Sequence, residues 1–392
     1  MKRRTVWLVF VVLAAGIVAA PSLWCAWDRQ GFSEKDLLVA DAGELKATVV
    51  SPHLDAAIDG SKNVLWCGSF QLVWNDCATL VGGPLVFQPP SPTAAAMNRQ
   101  TFAKADMAPG SYLVVADFVR NDPHGQIGRQ MAAKFPNAKP RLLPDPRLTP
   151  RPQDIVGYAY LFKDLPFAAP FEALPDPIVF QGTPLRCFGI DKDKPKQDAI
   201  RGQVQVLDYR GPDDFVVELT PKGGQDRIIL AKVAPAATLA ETIAAVHARS
   251  AAPATSTRPA DIAPPAPTTE PTSALRRGPM IPGDVLKVPK LNFDVTRRFD
   301  ELEGLHLVPP GPNVANDLII ASAMQRIRFQ MDEKGVKLES ESHMIGCSAA
   351  APPRARIMVF DKPFLILLQQ TDAPRPYFAL WVANPDLLVK QD

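Results

Sequence analysis

Three regimes of hydrophobic and polar patterning divide the chain. The first is a nearly unbroken apolar run from Thr5 to Trp27, interrupted only by Pro21 and Ser22 and preceded by Lys2, Arg3 and Arg4. The second covers most of the chain and alternates between two periodicities. Phe70, Val73, Cys77, Leu80 and Val81 recur at helical spacing and predict a helix over Ser69–Val81, and Ile127, Met131 and Phe135 predict another over His124–Phe135. Thr238-Leu-Ala-Glu241 has the form of a capping box and opens a third helix through Ile243 and Val246. Strand-like runs lie between them at Tyr112–Val119, Asp154–Phe162, Asp214–Leu219 and Arg227–Val233. The C-terminal third is mostly strand: Val288–Val295, Gln325–Met331, Arg356–Phe360, Phe364–Gln370 and Tyr377–Ala383, with a short helix expected at Phe299, Leu302 and Leu305. In Gln325–Met331 the alternation is strict, Ile327, Phe329 and Met331 opposing Arg326, Arg328 and Gln330. Helices and strands are interspersed without βαβ regularity, so the expected class is α+β.

The third regime is residues 251–282, where Pro253, Pro259, Pro264, Pro265, Pro267, Pro271, Pro279 and Pro282 are mixed with Ala, Thr and Ser. Such a stretch cannot bury enough apolar area to offset its ordering entropy, and it reads as a disordered insert. The expected organisation is therefore an N-terminal segment 1–27, a domain in two parts (28–250 and 283–392), and the insert between them.

A basic cap before a long apolar run has the form of an export signal. Val6–Ala20 has signal-peptide length, whereas the full run is long enough to span a bilayer with tilt. An uncleaved anchor is expected ahead of a cleaved signal, since Pro21 would follow the cut. Either fate places the body outside the cytoplasm, secreted or anchored, with the membrane touched only through this segment.

The 392 residues are 46% hydrophobic, enough for a sizeable core. The 43 Lys and Arg against 41 Asp and Glu leave a net charge of +2, which removes the electrostatic case for nucleic acid. Cys25, Cys67, Cys77, Cys187 and Cys347 are too few and scattered for a disulfide framework or zinc site. His53, His124, His247, His306 and His343 show no ligand spacing. The chain has no Gly-Xaa-Ser-Xaa-Gly elbow, phosphate-cradling glycine loop or Cys-Xaa-Xaa-Cys. No enzyme, metal or cofactor is expected.

The distinctive stretch is C-terminal. Asp332-Glu-Lys-Gly-Val-Lys-Leu-Glu-Ser-Glu-Ser342 leads through a loop ending at Phe360-Asp-Lys-Pro-Phe364, and Tyr377-Phe-Ala-Leu-Trp-Val-Ala-Asn-Pro385 follows. In series these resemble the end of a serpin: hinge, reactive-centre loop, the strand opening Phe-Xaa-Lys-Pro-Phe, and a last strand finishing in Asn-Pro. Val288-Pro-Lys-Leu-Asn-Phe293, Asp154-Ile-Val-Gly-Tyr-Ala-Tyr-Leu-Phe-Lys163 and Asn63-Val-Leu-Trp-Cys-Gly-Ser-Phe70 resemble further blocks of that family, so that the likeness covers residues 45–388. It implies a large, mostly antiparallel central sheet with additional sheets, several helices and an exposed loop.

The resemblance also implies an activity: inhibition of an extracytoplasmic serine protease, with a cysteine protease as second choice, by a monomer whose cleaved loop inserts as a new strand. An inserted strand must hide every second side chain. After Gly335, alternate positions are Val336, Leu338, Ser340, Ser342, Met344, Gly346 and Ser348, all uncharged; Lys337, Glu339, Glu341 and His343 fall on the other side. By the family's spacing the bond to be cut lies at Ala349–Ala350, in a scissile region Ser348, Ala349, Ala350 and Ala351, or slides toward Arg354. The hinge comprises Glu333, Gly335, Val336, Leu338, Ser340 and Ser342. Glu333 and Lys290 match an ion pair of the family at the top of the sheet, Phe167 stands where a tryptophan is expected, and Asn63, Tyr158 and Gln325 fall at positions beneath the opening sheet. Against inhibition stand Leu338, Glu339 and Glu341, which are larger or more charged than the small residues of fast-inserting hinges. The alternative is a non-inhibitory binding or scaffold protein whose loop is a substrate or partner arm.

Overall fold

A computed structural model describes residues 6–13 as backbone and residues 35–138, 150–191, 197–251, 277–311, 314–335 and 355–391 in full. Among the described residues, strands form sheets of eight, eight and four. The central sheet runs in the order β2 (Leu38–Asp41), β15 (Leu291–Arg298), β17 (Leu318–Met331), β1 (Val6–Leu13), β7 (Ile155–Leu161) and β6 (Tyr112–Phe118), with β16 (His306–Val308) and β5 (Val86–Gln88) at one end of β17. The second sheet runs β13 (Gly278–Pro279), β10 (Val204–Gly211), β11 (Asp214–Leu219), β12 (Asp226–Lys232), β19 (Phe364–Gln370), β20 (Pro376–Val382), β4 (Asn63–Cys67) and β3 (Thr48–Ser51). The small sheet runs β18 (Ile357–Val359), β14 (Val285–Pro289), β9 (Thr183–Ile190) and β8 (Glu172–Phe180). The helices are α1 (Ser69–Val81), α2 (Pro92–Met97), α3 (Pro123–Lys134), α4 (Asp198–Arg201) and α5 (Leu239–Ala251).

The period-2 pattern of β7 places its side chains on two helices. Ile155 and Ala159 join the cluster built around α1 with Phe70, Val73 and Trp74, while Val156, Tyr158 and Tyr160 join Ile127 and Met131 of α3. The central sheet is thus covered by α1 on one face and α3 on the other. α1 ends at Gly82, whose φ of +86° supplies the left-handed cap. The predicted capping box forms: the Thr238 N–H donates to Glu241 Oε2 at 3.1 Å, and the Glu241 N–H donates to Thr238 Oγ1 at 3.2 Å.

The structure corrects three expectations. The strand expected over Val288–Val295 is two strands in different sheets, β14 and β15. Between them the Lys290 N–H carries the β14–β9 register one residue further, to Arg186 O, while its C=O accepts from the Val389 N–H. The short helix expected around Phe299–Leu305 is a turn. Its apolar spacing is met by bonds from Leu302 N to Phe299 O and Glu303 N to Asp300 O, and β16 follows too soon for a helix to propagate. The proline-rich insert ends before residue 282. Gly278–Pro279 pairs with β10 and Met280 is buried, so specific contacts anchor residues whose composition alone reads as unstructured. Residues 252–276 lie outside the described residues. Val6–Leu13, within the run that has the form of an export signal, lies in β1 of the central sheet. An uninterrupted β-branched and aromatic run suits a strand covered on both faces as well as it suits a bilayer. No helix among the described residues is long and apolar enough to cross a membrane.

Candidate functional site: the root of the loop and the seam of the central sheet

β17 delivers the chain to the loop, and the turn after it is held on several sides. Asp332 and Gly335 form an antiparallel bridge, and Gly335 also bridges Pro166, on the continuation of β7. Gly335 has φ +70°, and a Cβ there would lie 2.4 Å from the Phe167 backbone nitrogen, so close approach and handedness both demand glycine. The Phe171 N–H donates to Glu333 O at 2.7 Å and the Phe167 N–H to Lys334 O at 3.3 Å. Beneath this turn Phe167 meets Phe171 edge-on at 4.8 Å, and Phe188 of β9 completes the aromatic floor. Phe167 therefore packs directly beneath the Gly335 turn.

Glu333 and Lys290 are paired at 2.5 Å. Burial works to raise the Glu333 carboxyl, but the Lys290 hydrogen bond, a backbone N–H and the charges of Lys290 and Lys334 outweigh it and hold it below the ordinary glutamate value. Lys290 is fixed because it lies where the chain crosses from the small sheet to the central one. The segment carrying Phe167 is fixed from the other direction. Lys163, at the end of the β7 segment, pairs with Asp226 of β12 at 2.7 Å, and the Lys222 N–H donates to Pro166 O. Burial, followed by the nearby Asp226 carboxylate, raises the Tyr377 hydroxyl far above its usual value.

The far end of the loop has its own anchor, which the sequence did not signal. Arg356, 3% exposed, donates through Nε and Nη2 to Asp284 Oδ2 at 3.0 and 2.6 Å and through Nη2 to Pro279 O at 2.7 Å. The pair joins residues 72 apart, so no local pattern could have revealed it. Two ion pairs, Lys290–Glu333 and Asp284–Arg356, therefore bracket residues 336–354. Val336, Leu338, Ser340, Ser342, Ser348, Ala349, Ala350, Ala351 and Arg354 fall in that interval, outside the described residues.

The residues expected together beneath the sheet separate into three places. Gln325, fully buried on β17, donates through Nε2 to Cys67 O at 2.9 Å and to Ser69 Oγ at 3.0 Å, so it meets the start of α1. Burial pushes the Cys67 thiol up, against hydrogen bonds from Ser69 and Gly68. Tyr158 is a correction: its hydroxyl meets Met131 Sδ at 3.9 Å on the α3 face, because neighbouring residues of a strand point to opposite sides and Tyr158 shares its side with Val156 and Tyr160. Asn63 also stands apart from Gln325. Its Oδ1 accepts from the N–H groups of Ala383 and Asn384, while its Nδ2 donates to Thr48 Oγ1 and Asn384 Oδ1. It ties β4 to the end of β20. No group of His, Cys, Asp and Glu that could hold a metal ion occurs among the described residues.

β7 and β17 run parallel to one another, each pairing with β1 between them. β1 thus fills a strand-wide seam between them, and the Gly335 turn lies at the seam's upper mouth, touching both flanks.

No protein-family model and no curated protein matches the sequence. Among solved structures, the chain is similar to serpin-12 of Manduca sexta, a serine protease inhibitor by its name, with 14% identity, TM-score 0.39, and 68% of this chain and 66% of that one covered. It is also similar to human glycosylated kallistatin (14% identity, TM-score 0.39, 69% and 65% covered) and to a serpin of the trematode Schistosoma haematobium (12% identity, TM-score 0.35, 68% and 64% covered). The chain spans about two thirds of the length of the structures it matches. Its fold is α+β.

Proposed function

We propose that this protein is a serpin-like inhibitor of a serine protease outside the cytoplasm, a cysteine protease being the second choice, and that it acts as a monomer by loop insertion. The observation that supports this most is the Gly335 turn, which links the end of β17 to the continuation of β7 at the mouth of the central seam. A protease attacks Ala349–Ala350, forms an acyl-enzyme with the carbonyl of Ala349, and releases the amino group of Ala350. Residues after Gly335 then enter the seam and carry the acylated protease along before water completes hydrolysis. Val336, Leu338, Ser340 and Ser342 supply the uncharged face. The segment 1–27 directs the chain out of the cytoplasm and is its contact with the membrane.

A second reading, a binding or scaffold protein whose loop is only cut, is favoured by Leu338, Glu339 and Glu341, which slow entry into the sheet. The test is to incubate protein recovered from the exported fraction with an elastase-like and a trypsin-like protease and examine it on a denaturing gel. An adduct near the summed masses is expected, and sequencing the released C-terminal peptide places the cut. Complete cutting within 344–356 without any adduct would replace inhibition by the binding reading.

A further inference from the structure

The seam that the loop must enter is occupied. β1 pairs in parallel with β17 from Val6↔Leu318 to Leu13↔Arg326, and with β7 from Leu8↔Ile155 to Val12↔Ala159. We propose that residues 6–13 are a removable plug: while they lie between β7 and β17, the loop cannot insert beyond its first few residues, and their withdrawal opens the sheet. The proposal rests on the insertion reading of the loop and adds the element that controls it.

The register decides how much room remains. The other edge of β17 is taken by β15, from Leu291↔Met331 to Arg298↔Met324, so a strand folding back from the loop has only the β7 side available. The Asp332↔Gly335 bridge sets the antiparallel pairing with which such a strand would begin. Continued without a bulge, it brings Val336 opposite Met331, Ser340 opposite Ile327, Glu341 opposite Arg326 and Ala349 opposite Leu318. The loop up to the proposed bond would therefore match β17 end to end. The pairing with β1 ends at Arg326, so Val336–Ser340 can enter and Glu341–Ala349 meet a filled position. One row of backbone donors and acceptors cannot serve two strands, so occupation by one excludes the other.

The chemistry of the segment explains why it can lie there and why it can leave. Val-Trp-Leu-Val-Phe-Val-Val-Leu carries no charge and no proline, as a central strand requires. The same segment, with basic residues before it, is equally suited to an apolar bilayer. Membrane engagement and sheet occupation therefore compete for one stretch of chain. While the segment pairs in the sheet the seam is closed; when it engages a bilayer the seam is free for the loop.

The test uses the full chain carrying Val9→Cys with Ser322→Cys, which are opposite one another across β1 and β17. Mild oxidation should join a peptide containing residue 9 to one containing residue 322, identified by mass after digestion under non-reducing conditions. Loop cleavage should then leave the melting temperature of the oxidised chain unchanged. In chains carrying Phe10→Pro or Val11→Asp, either of which disfavours a central strand, cleavage should raise it by on the order of 10 °C. Failure of the cross-link to form overturns the proposal. So does a cross-linked chain that gains as much stability on cleavage as the Phe10→Pro and Val11→Asp chains. A cross-link with no gain in any chain supports N-terminal occupation of the seam and overturns the inhibitory reading instead, which separates the two failures.

Discussion

Glu333 shows how much a single side chain contributes at the loop's root. Its partner Lys290 was legible in the sequence only through resemblance, since 43 positions separate them and no periodicity links them. Their proximity depends on Lys290 being held at the crossing between two sheets. Because the Glu333 carboxyl is lower in the folded chain than its ordinary value of 4.5, the pair's contribution is complete above that value and lost as pH falls through the folded one. Urea midpoints of the native protein and Glu333→Gln, followed from about pH 6 to about pH 3, should therefore differ at the upper end and converge at the lower. A difference that persists unchanged in acid would remove the ion pair as an anchor. Tyr158 teaches the complementary lesson. A position matched by resemblance can lie on the wrong face, because a displacement of one residue along a strand exchanges its two sides.

Among the elements, the most legible were those whose signal is local. α1 spans Ser69–Val81 as its apolar spacing predicts, and α5 begins where its capping box forms. Thr238→Ala should cost about 1 kcal/mol by leaving the Glu241 N–H without its side-chain acceptor, measurable as a lower urea midpoint at unchanged slope. The runs that the patterning predicts as strands are strands, but β8, β9 and β10 were not predicted, and sheet membership was not readable. Val288–Val295 is one apolar run in the sequence and two strands in space, divided by the direction of the Lys290 hydrogen bonds. The turn at residues 300–304 shows the opposite error: Phe299 and Leu302 are buried as expected, and Phe299 packs on Phe70 at 4.6 Å, yet burial at helical spacing does not require a helix.

For the whole molecule, stability depends on how the central and second sheets are joined. Phe329 of β17 stacks on Phe378 of β20 with ring centroids 4.6 Å apart and planes 7° from parallel. Both rings belong to the core shared by the sheets. Phe329→Ala should destabilise the chain by about 3–5 kcal/mol through lost burial and the resulting cavity, read by denaturant unfolding. Since β17 also borders the seam and ends at the loop, this contact holds in place one flank of the surface that an inserted loop strand would use.

The sequence alone determined the local features of this protein: which runs alternate, where α1 and α5 begin, the uncharged alternation after Gly335, and the C-terminal blocks that resemble serpins. These depend on neighbouring residues, and neighbours are what a sequence displays. Tertiary structure decided the rest. It paired Arg356 with Asp284, moved Tyr158 to the α3 face, anchored Gly278–Met280, and put Val6–Leu13 between β7 and β17. Each of these joins segments far apart in the chain. An apolar run states only that it must leave water; which of two apolar destinations receives it is fixed by the backbone hydrogen bonds and surfaces already waiting there.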